Sequence, residues 1–231
     1  MKLLFEPLAP VIAPTTTGEG FPVRRIFCIG RNYEEHAREM GMQADPEAPF
    51  FFTKWAETVV RDGATIAYPQ GTSNFHFEAE LVVAIGKPGR NIPREQALDH
   101  VWGYAAGLDM TRRDLQGEAR SRQRPWDVGK NVEGSSPLGL LHPKSALGDA
   151  TKGAITLTLN GVEKQRGDLS QLITPVDRLI EFLSSLYKLE AGDLIYTGTP
   201  AGVGAVVPGD VMVVAIDGLT ALTITVGQAA A

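Results

Sequence analysis

Residues Leu81 to Ile85 are apolar at every position, and they follow directly on Phe75-His76-Phe77-Glu78-Ala79-Glu80. An extended strand alternates its side chains between two faces, so a run with no polar position has no face for water and belongs inside a sheet. The same alternation predicts Glu78 and Glu80 on one side of that strand. Taken alone, Glu-x-Glu is more often a solvated strand face. At the entrance to a buried strand the pair is costly unless cations or a metal compensate it. Asp109, at the end of the next apolar stretch (Val101 to Leu108), offers a third carboxylate. Three oxygen ligands suit a hard divalent ion such as Mg²⁺, with Mn²⁺ and Ca²⁺ as alternatives. His76 shares the predicted face, where a supporting or packing role suits it better than ligation.

Strand-like segments dominate elsewhere: Arg25 to Ile29, Phe50 to Lys54, Thr65 to Ala67, Glu78 to Ile85, Ile155 to Leu159, Asp193 to Thr197, Val211 to Ile216 and Ala221 to Val226. Asn160-Gly161 and Asp217-Gly218 are tight-hairpin dipeptides, because Asn and Gly tolerate positive φ. Helical patterns are fewer, at Tyr33 to Met40, Arg94 to Asp99, Arg112 to Arg122 and Pro175 to Ser185. Thr174 is the expected N-cap of the last, with Pro175 at its first helical position. The pattern predicts a β-rich α+β protein without the βα alternation of a doubly wound sheet.

With 231 residues, 43% of them hydrophobic, the chain can bury one sizeable core. We read residues 1–24 as an N-terminal strand and linker and residues 25–228 as the principal domain. A net charge of −5 opposes nucleic acid or an anionic membrane as partner and favours a small molecule. Cys28, the only cysteine, can form no intrachain disulfide and reads as a buried, inert thiol. Glu6 and three prolines interrupt residues 1–14, which opposes an export signal, and no run approaches the roughly 20 apolar residues that span a bilayer. The expectation is a soluble, cytoplasmic protein.

Several further residues carry candidate chemistry. On a helix, His36 and Glu39 lie on one face, where a carboxylate can orient a histidine base; the bland alternative is an exposed amphipathic helix. Gly30, Gly41, Pro46 and Pro49 flank this segment and give it the look of a hinged lid. Arg113 and Gln116 share another helical face, where the guanidinium fork suits a substrate carboxylate, although a surface ion pair is the ordinary reading. Lys130 closes a short apolar segment, where a solvated strand end is the ordinary reading; as a functional residue it would stabilise an oxyanion. The glycine-rich turn Tyr196-Thr197-Gly198-Thr199-Pro200-Ala201-Gly202-Val203-Gly204 offers backbone N–H groups and a Thr199 hydroxyl to an anion, or is simply a turn.

Together, Gly30-Arg31-Asn32-Tyr33 with His36 and Glu39, His76-Phe77-Glu78-Ala79-Glu80, Gly107-Leu108-Asp109-Met110-Thr111 with Arg113-Asp114, and Thr197-Gly198-Thr199-Pro200 with Gly202-Val203-Gly204 closely resemble the fumarylacetoacetate hydrolase family. The match runs from about Arg25 to Val226. The resemblance implies a mixed β-sandwich roll with a helical lid, a homodimer, and a divalent cation held by Glu78, Glu80 and Asp109. It implies a His36/Glu39 dyad, Lys130 as electrophilic partner, and Arg113, Gln116 and Thr199 as substrate contacts. The implied reaction is hydrolysis of a carbon–carbon bond in a 2,4-dioxo acid, 3-fumarylpyruvate above others. Decarboxylation or tautomerisation of oxaloacetate, or isomerisation of a 2-hydroxyhepta-2,4-diene-1,7-dioate, would use the same enolate chemistry. Two positions depart from the family's pattern: Trp55, where proline is usual after the lysine, and Asn131, where a small residue or serine is usual after Lys130. Both are expected near the pocket.

Overall fold

The structure, a computed structural model, describes residues 3–41 and 49–229. The interior run lies in the strand Ala79–Ile85, every residue of which is buried. It pairs antiparallel with Leu194–Tyr196 on one side and Val101–Leu108 on the other. Beyond Leu194–Tyr196 the sheet continues through Ile26–Gly30 to Phe50–Lys54, and beyond Val101–Leu108 through Ser136–Leu138 to Val59–Arg61. Pairing is mixed, with Leu194–Tyr196 parallel to Ile26–Gly30 and Ser136–Leu138 parallel to Val59–Arg61.

Alternation along Ala79–Ile85 feeds two cores. Leu81, Val83 and Ile85 join the larger one, whereas Val82 and Ala84 join the second, with Ile26, Cys28, Leu194 and Tyr196. Both faces are packed, which is why no position in the run is polar. The larger core is closed by a second sheet ordered Val162–Asp168, Ala154–Leu159, Val211–Ile216, Leu222–Ala229 and Thr65–Tyr68. Its Ile155, Leu157, Met212, Val214 and Ile224 belong to that core, as do Leu179, Ile180 and Leu183 of the helix Val176–Leu186. The hairpin Ile12–Pro14/Gly20–Pro22 supplies Ala13 and Phe21 to the second core. The fold is the β-rich α+β sandwich expected from the sequence, and no helix among the described residues is long and apolar enough to cross a membrane.

Local readings differ in instructive ways. Asn160 and Gly161 take φ of 52° and 79° and join adjacent strands in a tight turn, as expected. Asp217-Gly218 does not: its strands end at Ile216 and resume at Leu222, which makes a longer loop. Pro175 precedes the helix Val176–Leu186 in extended conformation instead of opening it, and Thr174 is no cap. The Thr174 amide instead donates to Asn32 Oδ1 at 2.7 Å, which holds the chain extended up to the proline. Lys130 lies on a short helix, Asp127–Lys130, and not at a strand end.

The predicted strand from Glu78 begins one residue late, and the delay matters. Phe75–Phe77 belongs to a separate three-stranded sheet, between Thr111–Arg112 and Gly204–Val206. Three adjacent strands of the large sheet each pass into that small sheet in the same lateral order. Ala79–Ile85 meets Phe75–Phe77 through Glu78, Val101–Leu108 meets Thr111–Arg112 through Asp109 and Met110, and Leu194–Tyr196 meets Gly204–Val206 through residues 197–203.

Candidate active site

Those three junctions carry most of the residues singled out from sequence. The Asp109 amide donates to the Glu78 carbonyl at 2.9 Å, so the two junctions are laced together where the ladder between Ala79–Ile85 and Val101–Leu108 ends. Glu80 stands opposite Gly107. Oxygen atoms of Glu78, Glu80 and Asp109 thereby lie within 4.8 Å of one another, all three residues buried.

Cations surround this cluster unevenly. Lys130 Nζ donates to Glu78 Oε2, Asp109 Oδ2 and Thr111 Oγ1, each at 2.7 Å. Arg113 donates to Glu78 from Nη2 and to Gln116 Oε1 from Nη1, so the two residues share a face as expected while the guanidinium is engaged by the protein's own carboxylate. Arg112 points elsewhere, to the Gln70 carbonyl. Burial would raise the Glu78 carboxyl, yet the Lys130 ammonium and the Arg113 guanidinium pull it well below the usual carboxylate range. Glu80 goes the other way: burial, then repulsion from Asp109 and Glu78, pushes its carboxyl well up. Among the described residues it accepts one hydrogen bond, from the Gly198 amide at 2.8 Å, and no lysine or arginine pairs with it. An all-oxygen set with one carboxylate left uncompensated fits a hard divalent cation.

The glycine-rich turn binds anions belonging to the protein itself. Gly198 holds Glu80, and the Gly202 amide donates to Glu39 at 3.2 and 3.3 Å. Glu39 in turn meets His36 Nδ1 at 3.0 Å. A carboxylate only accepts, so the ring donates from Nδ1 and keeps Nε2 as the basic nitrogen. His36 and Glu39 are therefore brought together on the helix Glu34–Glu39, as the spacing predicted. Of the flanks that suggested a lid, Pro46 lies outside the described residues. Thr199 Oγ1 accepts from Gln165 Nε2 at 2.8 Å, which leaves its proton free to donate.

One cleft gathers His36, Glu78, Glu80, Asp109, Arg113, Gln116, Lys130 and Thr199, with Phe52, Trp126 and Met40 as apolar wall. Glu39 stands behind His36, and His76 does not line the cleft: its Nε2 bonds Asn74 Oδ1 at 2.8 Å, and burial, with Arg113 nearby, lowers its pKa to about 4. Trp55 and Asn131 do not line it either. The Trp55 amide donates to Asn131 Oδ1 at 2.8 Å, so the two departures from the family's pattern meet each other at the edge of the strand Phe50–Lys54. A proline at 55 would have no such proton to place.

Three residues were given no role from sequence. Lys54 is buried and donates from Nζ to Asp109 Oδ1 and the Ser135 carbonyl at 2.6 Å, making it a second ammonium on that carboxylate. A lysine ending the aromatic strand Phe50-Phe51-Phe52 was the available signal. Asn32 donates to the Thr174 and Thr197 carbonyls and fastens the turn before the helix Glu34–Glu39. Gln165 bridges the Ala79 amide to Thr199 and the Pro200 carbonyl, linking two of the three junctions, and nothing in its local sequence marks it.

A fumarylpyruvate hydrolase of Ralstonia sp. is 50% identical over 192 residues, 82% of this chain and 100% of that protein. The human mitochondrial oxaloacetate tautomerase FAHD1 is 39% identical over 203 residues, 88% of this chain and 91% of that protein. The crystal structure of fumarylpyruvate hydrolase from Pseudomonas aeruginosa in complex with Mn²⁺ and pyruvate superposes with a TM-score of 0.94 at 50% identity, covering 98% of this chain and 100% of that one. The family described as fumarylacetoacetate (FAA) hydrolase C-terminal matches residues 25–227, and the chain belongs to the fumarylacetoacetate hydrolase family.

Proposed function

We propose that this protein hydrolyses the carbon–carbon bond of an acylpyruvate, converting 3-fumarylpyruvate to fumarate and pyruvate. The observation that carries this reading is the meeting in one cleft of three buried carboxylates, an oriented histidine and a buried ammonium. The similarity to fumarylpyruvate hydrolases over most of the chain supports the substrate. Glu78, Glu80 and Asp109 are assigned as ligands of a divalent ion, Mg²⁺ by preference, with Mn²⁺ or Ca²⁺ as substitutes. When bound, such an ion supplies positive charge that stabilises the enolate of the departing pyruvyl group.

His36 Nε2 takes a proton from water while Glu39 holds the Nδ1 proton and balances the imidazolium. The resulting hydroxide adds to the C4 carbonyl carbon, forming a C–O bond. The C3–C4 bond then breaks with its electrons kept on C3, and the proton held by His36 returns there to give pyruvate. Burial opposes the charge on Lys130, but Asp109 and Glu78 raise its pKa, so it stays an ammonium; its three donors are committed to Glu78, Asp109 and Thr111, and it stabilises the oxyanion on C4 through its charge. The Thr199 hydroxyl and the Gln116 amide NH₂, each with its acceptor oxygen already engaged, point donors at the substrate, and Arg113 fixes Gln116.

Glu78→Ala is expected to lose bound metal, measured by elemental analysis, together with turnover of fumarylpyruvate. Full turnover in excess chelator would overturn the scheme. Oxaloacetate decarboxylation or tautomerisation is the second reading, favoured by FAHD1 and by a 42% identical oxaloacetate decarboxylase of Dictyostelium discoideum. His36→Ala separates the two: it should abolish acylpyruvate cleavage and spare decarboxylation, which needs no activated water. We place the enzyme in the cytoplasm as a homodimer, a state for which the exposed Phe50, Trp55 and Val128 on neighbouring segments offer apolar surface.

A further inference from the structure

The cleft holds more positive charge than the reaction uses. Arg31 stands on left-handed backbone, with φ of 60°, between the strand Ile26–Gly30 and the helix Glu34–Glu39. A side chain bearing a Cβ is held in that conformation only when its surroundings impose it. Asn32 imposes it here through two donated hydrogen bonds and one accepted from the Thr174 amide. The result is directional. Arg31 lines the cleft, its guanidinium carbon 5.5 Å from the centre of the Phe50 ring, with Nε buried and unpartnered.

Arg120 lines the same cleft from the helix Arg113–Ser121, and the spacing 113, 116, 120 places it on the face that carries Arg113 and Gln116. Its hydrogen bond to the Met40 carbonyl is long, at 3.5 Å. Arg113 is engaged by Glu78, whereas neither Arg31 nor Arg120 pairs with a carboxylate among the described residues. The cleft thus combines a carboxylate cluster, an apolar wall of Phe52, Trp126 and Met40, and two guanidinium groups that no carboxylate among the described residues pairs with.

We propose that Arg31 and Arg120 form a second subsite that grips the carboxylate at the far end of the acyl chain, so that the enzyme selects dicarboxylic over monocarboxylic acylpyruvates. This rests on the hydrolase reading above. A guanidinium matches a carboxylate with two parallel donors, and desolvation by the aromatic wall strengthens the contact. A flat, conjugated acyl chain fits against Phe52 and Trp126 between the two charged ends.

The test is the ratio of kcat/KM for fumarylpyruvate to that for acetylpyruvate, which undergoes the same cleavage but ends in a methyl group. Arg120 is itself exposed at the mouth of the cleft, and Arg31→Asn replaces the arginine with a residue that accepts positive φ, so both Arg120→Gln and Arg31→Asn are expected to keep the fold, which a thermal melt checks. Each should lower the ratio about tenfold or more, the double variant further, with Arg31→Lys retaining part of the preference. A ratio unchanged in the double variant while fumarylpyruvate is still cleaved would overturn the subsite and leave the hydrolase reading intact. Equal wild-type kcat/KM for the two substrates would do the same. A wild-type enzyme that cleaves neither removes the hydrolase reading and this subsite with it.

Discussion

Gly198 shows how closely the site is packed at single residues. Its φ is +97°, and a Cβ there would lie 2.7 Å from the Asn32 Cβ. Its amide also carries the hydrogen bond to Glu80. Gly198→Ala is therefore expected to cost about 1–3 kcal/mol from the backbone conformation alone, read by urea denaturation, and to weaken metal affinity as the amide shifts. Lys54 makes a different argument. Lys54→Met leaves Asp109 with one ammonium instead of two, at a residue that is almost wholly buried. Removing one partner of a buried pair costs about 3–5 kcal/mol, and the same denaturation experiment measures it.

At the scale of elements, the helix Glu34–Glu39 reaches the turn at 197–203 through Glu39, which ties His36, the proposed base, to the sheet. Glu39→Gln keeps an acceptor and loses the charge that balances the imidazolium. We expect kcat to fall by about 10- to 100-fold, with the melting temperature little changed, checked by steady-state kinetics beside a thermal melt. Leu183→Ala, on the buried face of Val176–Leu186, should instead cost about 2–5 kcal/mol of stability through the cavity it leaves. Strand positions were legible in the sequence because the run Leu81–Ile85 and the alternation in Ile155–Leu159 report burial directly. The His36/Glu39 and Arg113/Gln116 pairs were legible because helical spacing puts three-apart residues on one face. What escaped was set by long-range contact: the break at Glu78 follows from which sheet each half joins. The helical placement of Lys130, the fastening by Asn32 and the bridge by Gln165 depend on partners far away in sequence.

For the molecule as a whole, the N-terminal hairpin belongs to the second core, where Ala13, Phe21 and Val23 pack beside Ile26, Val82 and Leu138. Removing residues 1–24 uncovers that face of the large sheet, and we expect a lower melting temperature and aggregation, scored by light scattering during a thermal ramp. The triple junction between the two sheets has a wider consequence. Glu78, Asp109 and the 197–203 turn hang from three neighbouring strands, so the distances among these groups are set by inter-strand spacing, a quantity that sequence drift outside the sheets barely alters. The arginines at 31 and 120 hang from a turn and a helix instead. If the proposed roles hold, chemistry is bolted to the chassis while taste in substrates rides on a turn and a helix, an arrangement that would let a lineage exchange one acyl group for another without rebuilding its means of breaking the bond.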